Sequence, residues 1–437
     1  IGGGGGRGTR VVHDKHDLEE AFERCQSEAL AFFGLGDVYV EEFLPRARHI
    51  EVQILGDASG SIVHFGDREC SVQRRNQKVI EIAPAPNLAP SLREKMTSAA
   101  VSFAHQEKYM SLGTFEFLVL DKGVEDDRSA GSAIEDDFVF IEANARLQVE
   151  HTVTEEVTGF DLVRGQIAVA FGFSLTDLGL DAQAPPTLSG FAIQARVNLE
   201  TITADGGVRP GSGRLVRYEP PNGPGVRTDG FGYVGYKTSI AYDSLLAKVI
   251  VHERSSNFSD VARKAIRALS EFHLEGARNN ISFLKNILSH EDFINGATHT
   301  RWIEETVDQL TNEWQGPDYF MVAEAGGGAK GVSQGSSKRE DPLAVFTQQD
   351  AIGQTAPAEA QEIDVPEGMV SGRAPIPGTI VAVEVKAGAQ VKAGDVILVI
   401  ESMKMEREIV AECDALVHRM PVQVGDIVTV GAGPCVC

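Results

Sequence analysis

Cysteine is scarce in this chain. Five occur among 437 residues, at Cys25, Cys70, Cys413, Cys435 and Cys437. The odd count argues against a disulfide framework, and no spacing among them matches a zinc site. Cys435 and Cys437 alternate along the terminal segment and read as two reduced cysteines on one strand face. Long apolar runs are also missing. None approaches the roughly 18 residues of a transmembrane helix, so no membrane partner is expected. Positive charge is in deficit: Lys and Arg total 40 against 63 Asp and Glu, a formal net charge of −23. A general nucleic-acid or anionic-membrane role needs a basic face and is excluded on that ground. The chain opens on Ile1 inside a glycine run rather than on Met. A longer native N-terminus is therefore expected, and targeting signals cannot be read from this segment. The cysteine usage fits a reducing compartment, so the expected location is cytoplasmic, with a mitochondrial one as the alternative.

Lys404 stands out among what is present. It lies in Ile400-Glu401-Ser402-Met403-Lys404-Met405-Glu406, between an apolar run from Val396 to Ile400 and a β-like run from Glu408 to Ala411. That pattern predicts a hairpin with the lysine at its tip. An amine on a stiff turn suits covalent attachment of a swinging cofactor. Around it runs a quasi-repeat: Val391-Lys392-Ala393-Gly394-Asp395-Val396-Ile397 recurs as Val422-Gln423-Val424-Gly425-Asp426-Ile427-Val428. Each Gly-Asp is a turn signal between short β-branched strands. Two such halves describe a small flattened β-barrel, the architecture shared by biotinyl and lipoyl domains. The Met-Lys-Met context resembles the attachment motif of biotin carboxyl carrier domains, whereas lipoyl domains usually carry Asp-Lys-Ala or a near variant.

The length allows two to four domains. Asp17 and Glu20 suggest a capping box opening a helix whose apolar face is Leu18, Ala21, Phe22, Cys25, Ala29 and Phe32. Strands are expected near 37–43, 48–55, 61–66, 113–120 and 138–150, and helices near 91–106, 159–171, 259–271 and 279–289. The acidic stretch 121–137 reads as a surface loop. Composition changes near residue 315, where glycine, serine, alanine and proline dominate. Residues 315–368 are expected to form a flexible linker, spanning on the order of 40 Å for about 50 residues.

The chemistry of the first part concentrates in three segments. In Glu142-Ala143-Asn144-Ala145-Arg146-Leu147-Gln148-Val149-Glu150, an extended strand would place every second, polar side chain on one face. A solvated strand face has the same pattern, but the buried-looking lead-in Phe138 to Ile141 suggests a lined cleft. In Thr114-Phe115-Glu116-Phe117, Glu116 is an acid inside an apolar strand, and a buried carboxylate needs a cation or donor. Glu116, Glu142 and Asn144 together make an all-oxygen set suited to magnesium. The third segment, Gln73-Arg74-Arg75-Asn76-Gln77-Lys78, holds three cations that could bind an anion, or form a solvated charge run.

In order along residues 1–312, these segments resemble the ATP-grasp region of biotin carboxylases. The likeness includes the glycine loop, Val38-Tyr39-Val40-Glu41-Glu42-Phe43-Leu44, His49-Ile50-Glu51-Val52-Gln53, and Glu-Ala-Asn-x-Arg-x-Gln-Val-Glu-His from Glu142. It continues in Ala192-Ile193-Gln194-Ala195-Arg196-Val197-Asn198 and Tyr242-Asp243-Ser244-Leu245. The resemblance implies an α+β fold. An ATP-grasp domain would span 1–185 and a biotin carboxylase C-terminal domain 186–314; the linker, 315–368, would join them to a carrier domain at 369–437. It also implies roles. The loop Gly2 to Gly6, with Gly3, Gly4, Gly5 and Gly6 at its centre, would close over ATP. Glu41, Glu42, Leu44, His49, Gln73, Asn76 and Leu118 would line the nucleotide site. Glu116, Glu142 and Asn144 would hold Mg2+ or Mn2+. Lys78, Arg146, Gln148 and Val149 would bind bicarbonate. Glu150 would be the general base, Arg196 would stabilise the biotin enolate, and Lys404 would carry biotin covalently. ATP would activate bicarbonate as carboxyphosphate, which releases CO2 beside biotin. The implied partners are a biotin protein ligase, a carboxyltransferase domain or subunit, and further copies of the chain in a homo-oligomer.

The chain departs from the family in three places. A nucleotide-fold domain with two phosphate-binding lysines precedes the glycine loop in the family and is absent here, so this segment alone is expected to be weakly active or inactive. Asn76 stands where many members have histidine. His151-Thr152-Val153 replaces the more usual His-Pro-Val. The expected function is ATP-dependent carboxylation of carrier-bound biotin. Gly225-Val226-Arg227 and Tyr242 to Lys248 look most like single-chain acyl-CoA carboxylases, with pyruvate or urea carboxylase as the alternative. A non-catalytic biotin carrier is a second class. Another ATP-grasp ligase, purine or carbamoyl-phosphate, is a third, against which the Met-Lys-Met carrier speaks.

Overall fold

The computed structural model describes residues 9–120, 138–238, 243–320, 371–372, 374, 378–402, 405–411, 413–428 and 435–436. The chain divides into two compact units, an α+β unit before residue 321 and an all-β unit toward the C-terminus.

The first unit begins with helix α1 (Leu18–Phe33). Strands β1 (Ala47–Gly56), β2 (Ile62–Arg74) and β3 (Gln77–Ala83) follow, then α2 (Pro90–Gln106), β4 (Ser111–Leu120), β5 (Phe138–Asn144), α3 (His151–Thr158) and α4 (Leu162–Ala170). Next come β6 (Phe191–Asn198), the short strands β7 (Glu200–Ile202), β8 (Val208–Pro210) and β9 (Arg217–Glu219), β10 (Val226–Gly230) and β11 (Leu245–Glu253). The unit ends with α5 (Phe258–Glu271), β12 (His273–Glu275), α6 (Ile281–Ser289), α7 (Glu291–Ile294) and α8 (Trp302–Leu310). Eight strands form one antiparallel sheet in the order β10-β11-β6-β3-β2-β1-β4-β5.

Alternation along β1 and β4 sorts the two faces of this sheet. Ile50, Val52, Ile54, Phe115, Phe117 and Val119 face one way and pack with Met96, Ala100 and Ala104 of α2. His49, Glu51, Gln53, Thr114 and Glu116 have the opposite parity, and they too are buried. On the β6–β11 side, α5 presents Val261, Ala262, Ala265, Ala268 and Leu269 to the core that α6 and α8 complete. The Asn257 side chain caps α5 by accepting from Ser259 N at 3.2 Å.

Several expectations are corrected. Residues 37–43 form no strand; Tyr39 and Val40 are exposed, and no strand pairs with this segment among the described residues. β propensity without a partner to share the ladder does not make a strand. The helix expected at 159–171 forms as α4, its N-terminus set by the Asp161 side chain accepting from Arg164 N at 2.8 Å; a separate helix the sequence did not suggest, α3, precedes it and ends at Gly159 with φ +70°. Asp17 makes no capping hydrogen bond; Asp14 caps the short 3-10 turn before α1 instead. Leu18 and Phe22, expected on a buried face of α1, stay exposed. The loop expected at 121–137 and the linker expected at 315–368 lie largely outside the described residues.

The second unit contains β13 (Ser371–Gly372), β14 (Gly378–Val383), β15 (Gln390–Val391), β16 (Val396–Ser402), β17 (Met405–Val410), β18 (Ala415–Leu416), β19 (Ile427–Val428) and β20 (Cys435–Val436). The order β17-β16-β14-β19 makes one sheet; β15–β18 and β13–β20 make two short ladders. The described strands therefore build separate sheets rather than one closed barrel. Ile380, Leu398, Ile400, Val417 and Val428 are among the side chains of its core. The sequence repeat recurs in the backbone: Gly394 and Gly425 take φ +97° and +98°. Asp395 accepts from Lys392 N at 2.8 Å, and Asp426 accepts from Gln423 N at 2.9 Å.

Candidate active site

The polar face of the large sheet carries a buried ion network. Register places Glu51 opposite both Arg68 on β2 and Glu116 on β4, and Glu116 in turn opposite Glu142 on β5. Carboxylates on adjacent strands, whose spacing is about 4.8 Å, repel unless cations sit between them. Lys78 on β3 does so: its Nζ lies 2.6 Å from Glu51, 2.5 Å from Glu150 and 3.4 Å from Glu116. Arg68 is fully buried and donates to Glu51, to Gln53 Oε1 at 2.8 Å, to Thr154 Oγ1 at 3.0 Å, to Thr114 Oγ1 at 3.2 Å and to Gln148 Oε1 at 3.3 Å. Arg196 on β6 reaches Glu81 on β3 through Nε at 2.6 Å and Glu150 through Nη2 at 3.1 Å.

These neighbours set the charge states. Burial pushes the Glu51 carboxyl up, but Arg68 and Lys78 outweigh it and hold its pKa at about 2. For Glu116, burial is likewise overcome by His49 and Lys78, again giving about 2. Glu150 is pushed up by burial and by Glu51, yet Lys78, Arg196 and Arg68 leave it below the ordinary value. Glu81 goes the other way: burial raises it despite Arg196. Burial opposes the charge on Lys78, and its anionic neighbours raise its pKa well above normal.

The Asn144 amide donates to Glu116 Oε1 and to Glu142 Oε1, both at 2.9 Å, so the three expected metal ligands converge. Gln148 Nε2 donates to Glu116 Oε1 at 2.8 Å. His49 Nδ1 pairs with Gln73 Nε2 at 2.6 Å, and His49 Nε2 lies 2.8 Å from Glu116 Oε2, an ion-pair separation without hydrogen-bond alignment. Leu118 sits opposite His49 on β4, half-buried. Glu116, Glu142, Asn144, Gln148, Glu150, Lys78, Arg196, His49 and Gln73 thus meet on one face.

Others do not join them. The polar row expected along 142–150 is not one strand: β5 ends at Asn144 and a turn follows. Gln148 and Glu150 reach the network from that turn, with Glu150 at the start of α3. Arg146 is exposed, and its one hydrogen bond among the described residues reaches Leu147 O at 3.4 Å. Val149 is also exposed, and its carbonyl accepts from Lys248 Nζ at 2.9 Å. Asn76 lies exposed at the β2–β3 tip with φ +62°. Glu41 and Glu42 are exposed and Leu44 is half-buried, in a segment without regular structure. Gly3, Gly4, Gly5, Gly6, Tyr242 and Lys404 lie outside the described residues. The strands flanking Lys404 pair as a hairpin, with Ser402 opposite Met405.

Sequence reasoning assigned no role to Glu51, Arg68 or Lys248. Glu51 carries the same signal as Glu116, an acid alternating within an apolar strand. Arg68 sits in Asp67-Arg68-Glu69, which reads as a charge run.

Comparison with known proteins accords with this geometry. Residues 1–178 match the family model of the carbamoyl-phosphate synthase L chain ATP-binding domain, 194–305 that of the biotin carboxylase C-terminal domain, and 371–433 that of the biotin-requiring enzymes. The chain is 47% identical over 304 residues to human mitochondrial pyruvate carboxylase, covering 69% of this chain and 24% of that protein. It is 42% identical over 307 residues to pyruvate carboxylase of Staphylococcus aureus, covering 70% and 25%. The chain thus spans about a quarter of these relatives. Among solved structures, biotin carboxylase from Campylobacter jejuni superposes with a TM-score of 0.62 at 37% identity, covering 69% of this chain and 63% of that one. A single-chain, multi-domain long-chain acyl-CoA carboxylase gives 0.56 at 36% identity, covering 95% of this chain and 37% of that one. An ATP-grasp-type biotin carboxylase region and a biotin/lipoyl module on one polypeptide place the chain in the family of biotin-dependent carboxylases.

Proposed function

We propose that this chain supplies the biotin carboxylase step and the biotin carrier of a larger biotin-dependent carboxylase. The observation that carries the reading is Glu150 held between Lys78 at 2.5 Å and Arg196 at 3.1 Å. These two cations keep the carboxylate ionised and offer N–H donors to a small planar anion beside it. Glu150 would take the proton from bicarbonate, and Lys78 and Arg196 would hold the anion by charge-assisted hydrogen bonds. Gln148, oriented by Arg68, would add an amide donor. Arg196, braced by Glu81, would also face negative charge developing on biotin.

The donor set fits a divalent cation. Glu51, Glu81, Glu116, Glu142 and Glu150 number five carboxylates against the three permanent cations Arg68, Lys78 and Arg196. Two negative charges are left over, beside three oxygen-bearing side chains that already share one amide. Glu116, Glu142 and Asn144 would hold Mg2+, or Mn2+, which when bound would neutralise ATP phosphate charge. The nucleotide would lie along His49, Gln73 and Leu118, with Asn76, Glu41, Glu42 and Leu44 and the glycine loop closing from the edges. Arg146 and Val149 would reach bicarbonate only by a rearrangement of the 145–149 turn.

The carboxyl acceptor is best read as pyruvate, because the curated relatives are pyruvate carboxylases. An acyl-CoA remains the second reading, favoured by the likeness that runs through 95% of this chain. A carboxyltransferase domain or subunit, a biotin protein ligase, and further copies of the chain are the proposed partners, in the cytoplasm or the mitochondrion. Among the described residues no helix is long and apolar enough to cross a membrane.

The test is intact mass with peptide mapping after co-expression with a biotin protein ligase. One biotin on Lys404, lost in Lys404→Ala, is expected. An unmodified but folded C-terminal unit would overturn the carrier reading. In the whole carboxylase, bicarbonate-dependent ATP cleavage is expected and should fall at least 100-fold in Glu150→Gln. Cleavage independent of bicarbonate would point to another ATP-grasp ligase.

A further inference from the structure

Arg74, at the end of β2, is an anomaly. It is 93% buried (7% exposed), yet it makes no hydrogen bond or ion pair among the described residues, and its Nη1 is sealed from solvent without a partner. An unpaired buried guanidinium is costly, and arginine cannot shed its proton to escape the cost. Burial and the adjacent Arg75 disfavour the charge, and Glu200 and Glu304 offset this only in part, so the pKa stays below the ordinary value.

The side chain lines a cavity of about 220 Å³ together with Arg75, Asp205, Gly206, Ile303, Glu304 and Val307. That is too large for one water molecule, whose share of liquid volume is about 30 Å³. The two acids on its wall are turned elsewhere. Asp205 accepts from Thr203 Oγ1 and from Gly207 N at 3.2 Å, and Glu304 accepts from Arg301 at 3.4 Å. Ile303 and Val307 of α8 form an apolar wall, which strengthens any ion pair made against it.

We infer that this cavity is an anion subsite, filled by a phosphate-class oxyanion paired with the Arg74 guanidinium. A planar fork of N–H donors matches two oxygens of such an ion. Gln73 and Lys78, on the same β2–β3 hairpin, belong to the ion network, whereas Arg74 is among the residues lining the cavity at α8. An anion here would tie the hairpin to α8 and to the turn at Asp205–Gly206, at a site distinct from the buried Lys78–Glu150–Arg196 network.

The test is equilibrium dialysis of radiolabelled inorganic phosphate against the whole chain, with Arg74→Met, Val307→Phe and, as a control, Arg263→Met as variants and far-UV circular dichroism as the folding check. The expected Kd is about 1 mM or tighter. Arg74→Met removes the charge and Val307→Phe fills the cavity, so each should weaken binding at least tenfold. Arg263→Met, which removes an exposed cation on α5, should leave it within twofold. If Arg74→Met does not fold, Val307→Phe decides. The inference fails if the parent chain does not bind by about 10 mM, if the two cavity variants bind like the parent, or if Arg263→Met weakens binding as much as they do.

Discussion

Arg68→Met tests whether the buried network is an interdependent unit. The change preserves much of the side-chain length and removes the guanidinium. Five hydrogen bonds are lost at once, to Glu51, Gln53, Thr114, Thr154 and Gln148. Glu51, itself fully buried, keeps Lys78 as its remaining cation. Breaking one side of a buried pair costs about 3–5 kcal/mol, because the partner's desolvation is no longer compensated. The comparison is Arg263→Met, which breaks an ion pair with Asp260 on the solvated face of α5, where Arg263 is 71% exposed; such pairs contribute about 0.5 kcal/mol or less. Both tryptophans, Trp302 and Trp314, lie in the first unit, so urea unfolding followed by tryptophan fluorescence reports that unit alone. With an m-value at or above roughly 3 kcal/mol/M, Arg68→Met should lower the midpoint by about 1 M. Arg263→Met should shift it by about 0.1 M.

The same variant predicts a pH dependence with a definite sign. Glu51 is held at about 2 against an ordinary glutamate value of 4.5. A depressed carboxylate pKa contributes stability that is complete above the unfolded value and is lost as pH falls through the folded one. At roughly 1.4 kcal/mol per unit, Glu51 accounts for about 3 kcal/mol lost between about pH 4.5 and pH 2. Arg68→Met should flatten that part of the profile, since its main lowering influence is gone. A variant whose midpoint at pH 7 matches Arg263→Met, or whose acid profile overlays the parent, would refute the account of the network.

Three further outcomes follow from the geometry. Gly190→Ala should destabilise the first unit by about 2 kcal/mol or more, because a Cβ there would lie 2.0 Å from Glu253 O and the backbone sits at φ +64°; an unchanged urea midpoint would contradict this. Iodoacetamide at pH 8 should label exposed Cys413 quickly and leave Cys70 unmodified until urea opens the first unit, since burial pushes that thiol's pKa up; peptide mapping reads the result. Glu142→Gln should weaken Mn2+ binding about tenfold, followed by electron paramagnetic resonance, while leaving the urea midpoint within about 0.2 M, because Glu142 is the exposed member of its trio.

The parts of the molecule that could be read from sequence are those governed by local chemistry. Gly394-Asp395 and Gly425-Asp426 dictate their own turns through a left-handed glycine and an aspartate that accepts from the backbone three residues earlier, so the carrier repeat survives into the structure unchanged. Glu116 was legible because an acid at an inward strand position has few alternatives to a buried cation. Arg68 was not. Its neighbours Asp67 and Glu69 disguise it as one charge among several, and only the pairing of β1 with β2 sets it against Glu51. Register is a non-local property, and no window of sequence contains it. The failed strand at 37–43 has the same origin: its propensity was real, but no strand pairs with it among the described residues.

The segment from Glu142 to Glu150 shows how alternation can identify the right residues for the wrong reason. Period-two spacing placed five polar side chains on one face, and four of the five do approach one another. Yet β5 supplies only Glu142 and Asn144, while Gln148 and Glu150 arrive through a turn that leads into α3. What draws them in is charge: Arg68 and Glu116 fix the Gln148 amide from both ends, and Lys78 with Arg196 fixes Glu150. Arg146 pairs with no carboxylate among the described residues and lies exposed. The polar face is therefore held by the cations of β2, β3 and β6 rather than by the strand in which its acids are written. Changing Lys78 or Arg68 should displace Glu150 and Gln148 more than any substitution within 145–147. Loss of a bicarbonate response in Leu147→Ala but not in Arg68→Met would reverse that order.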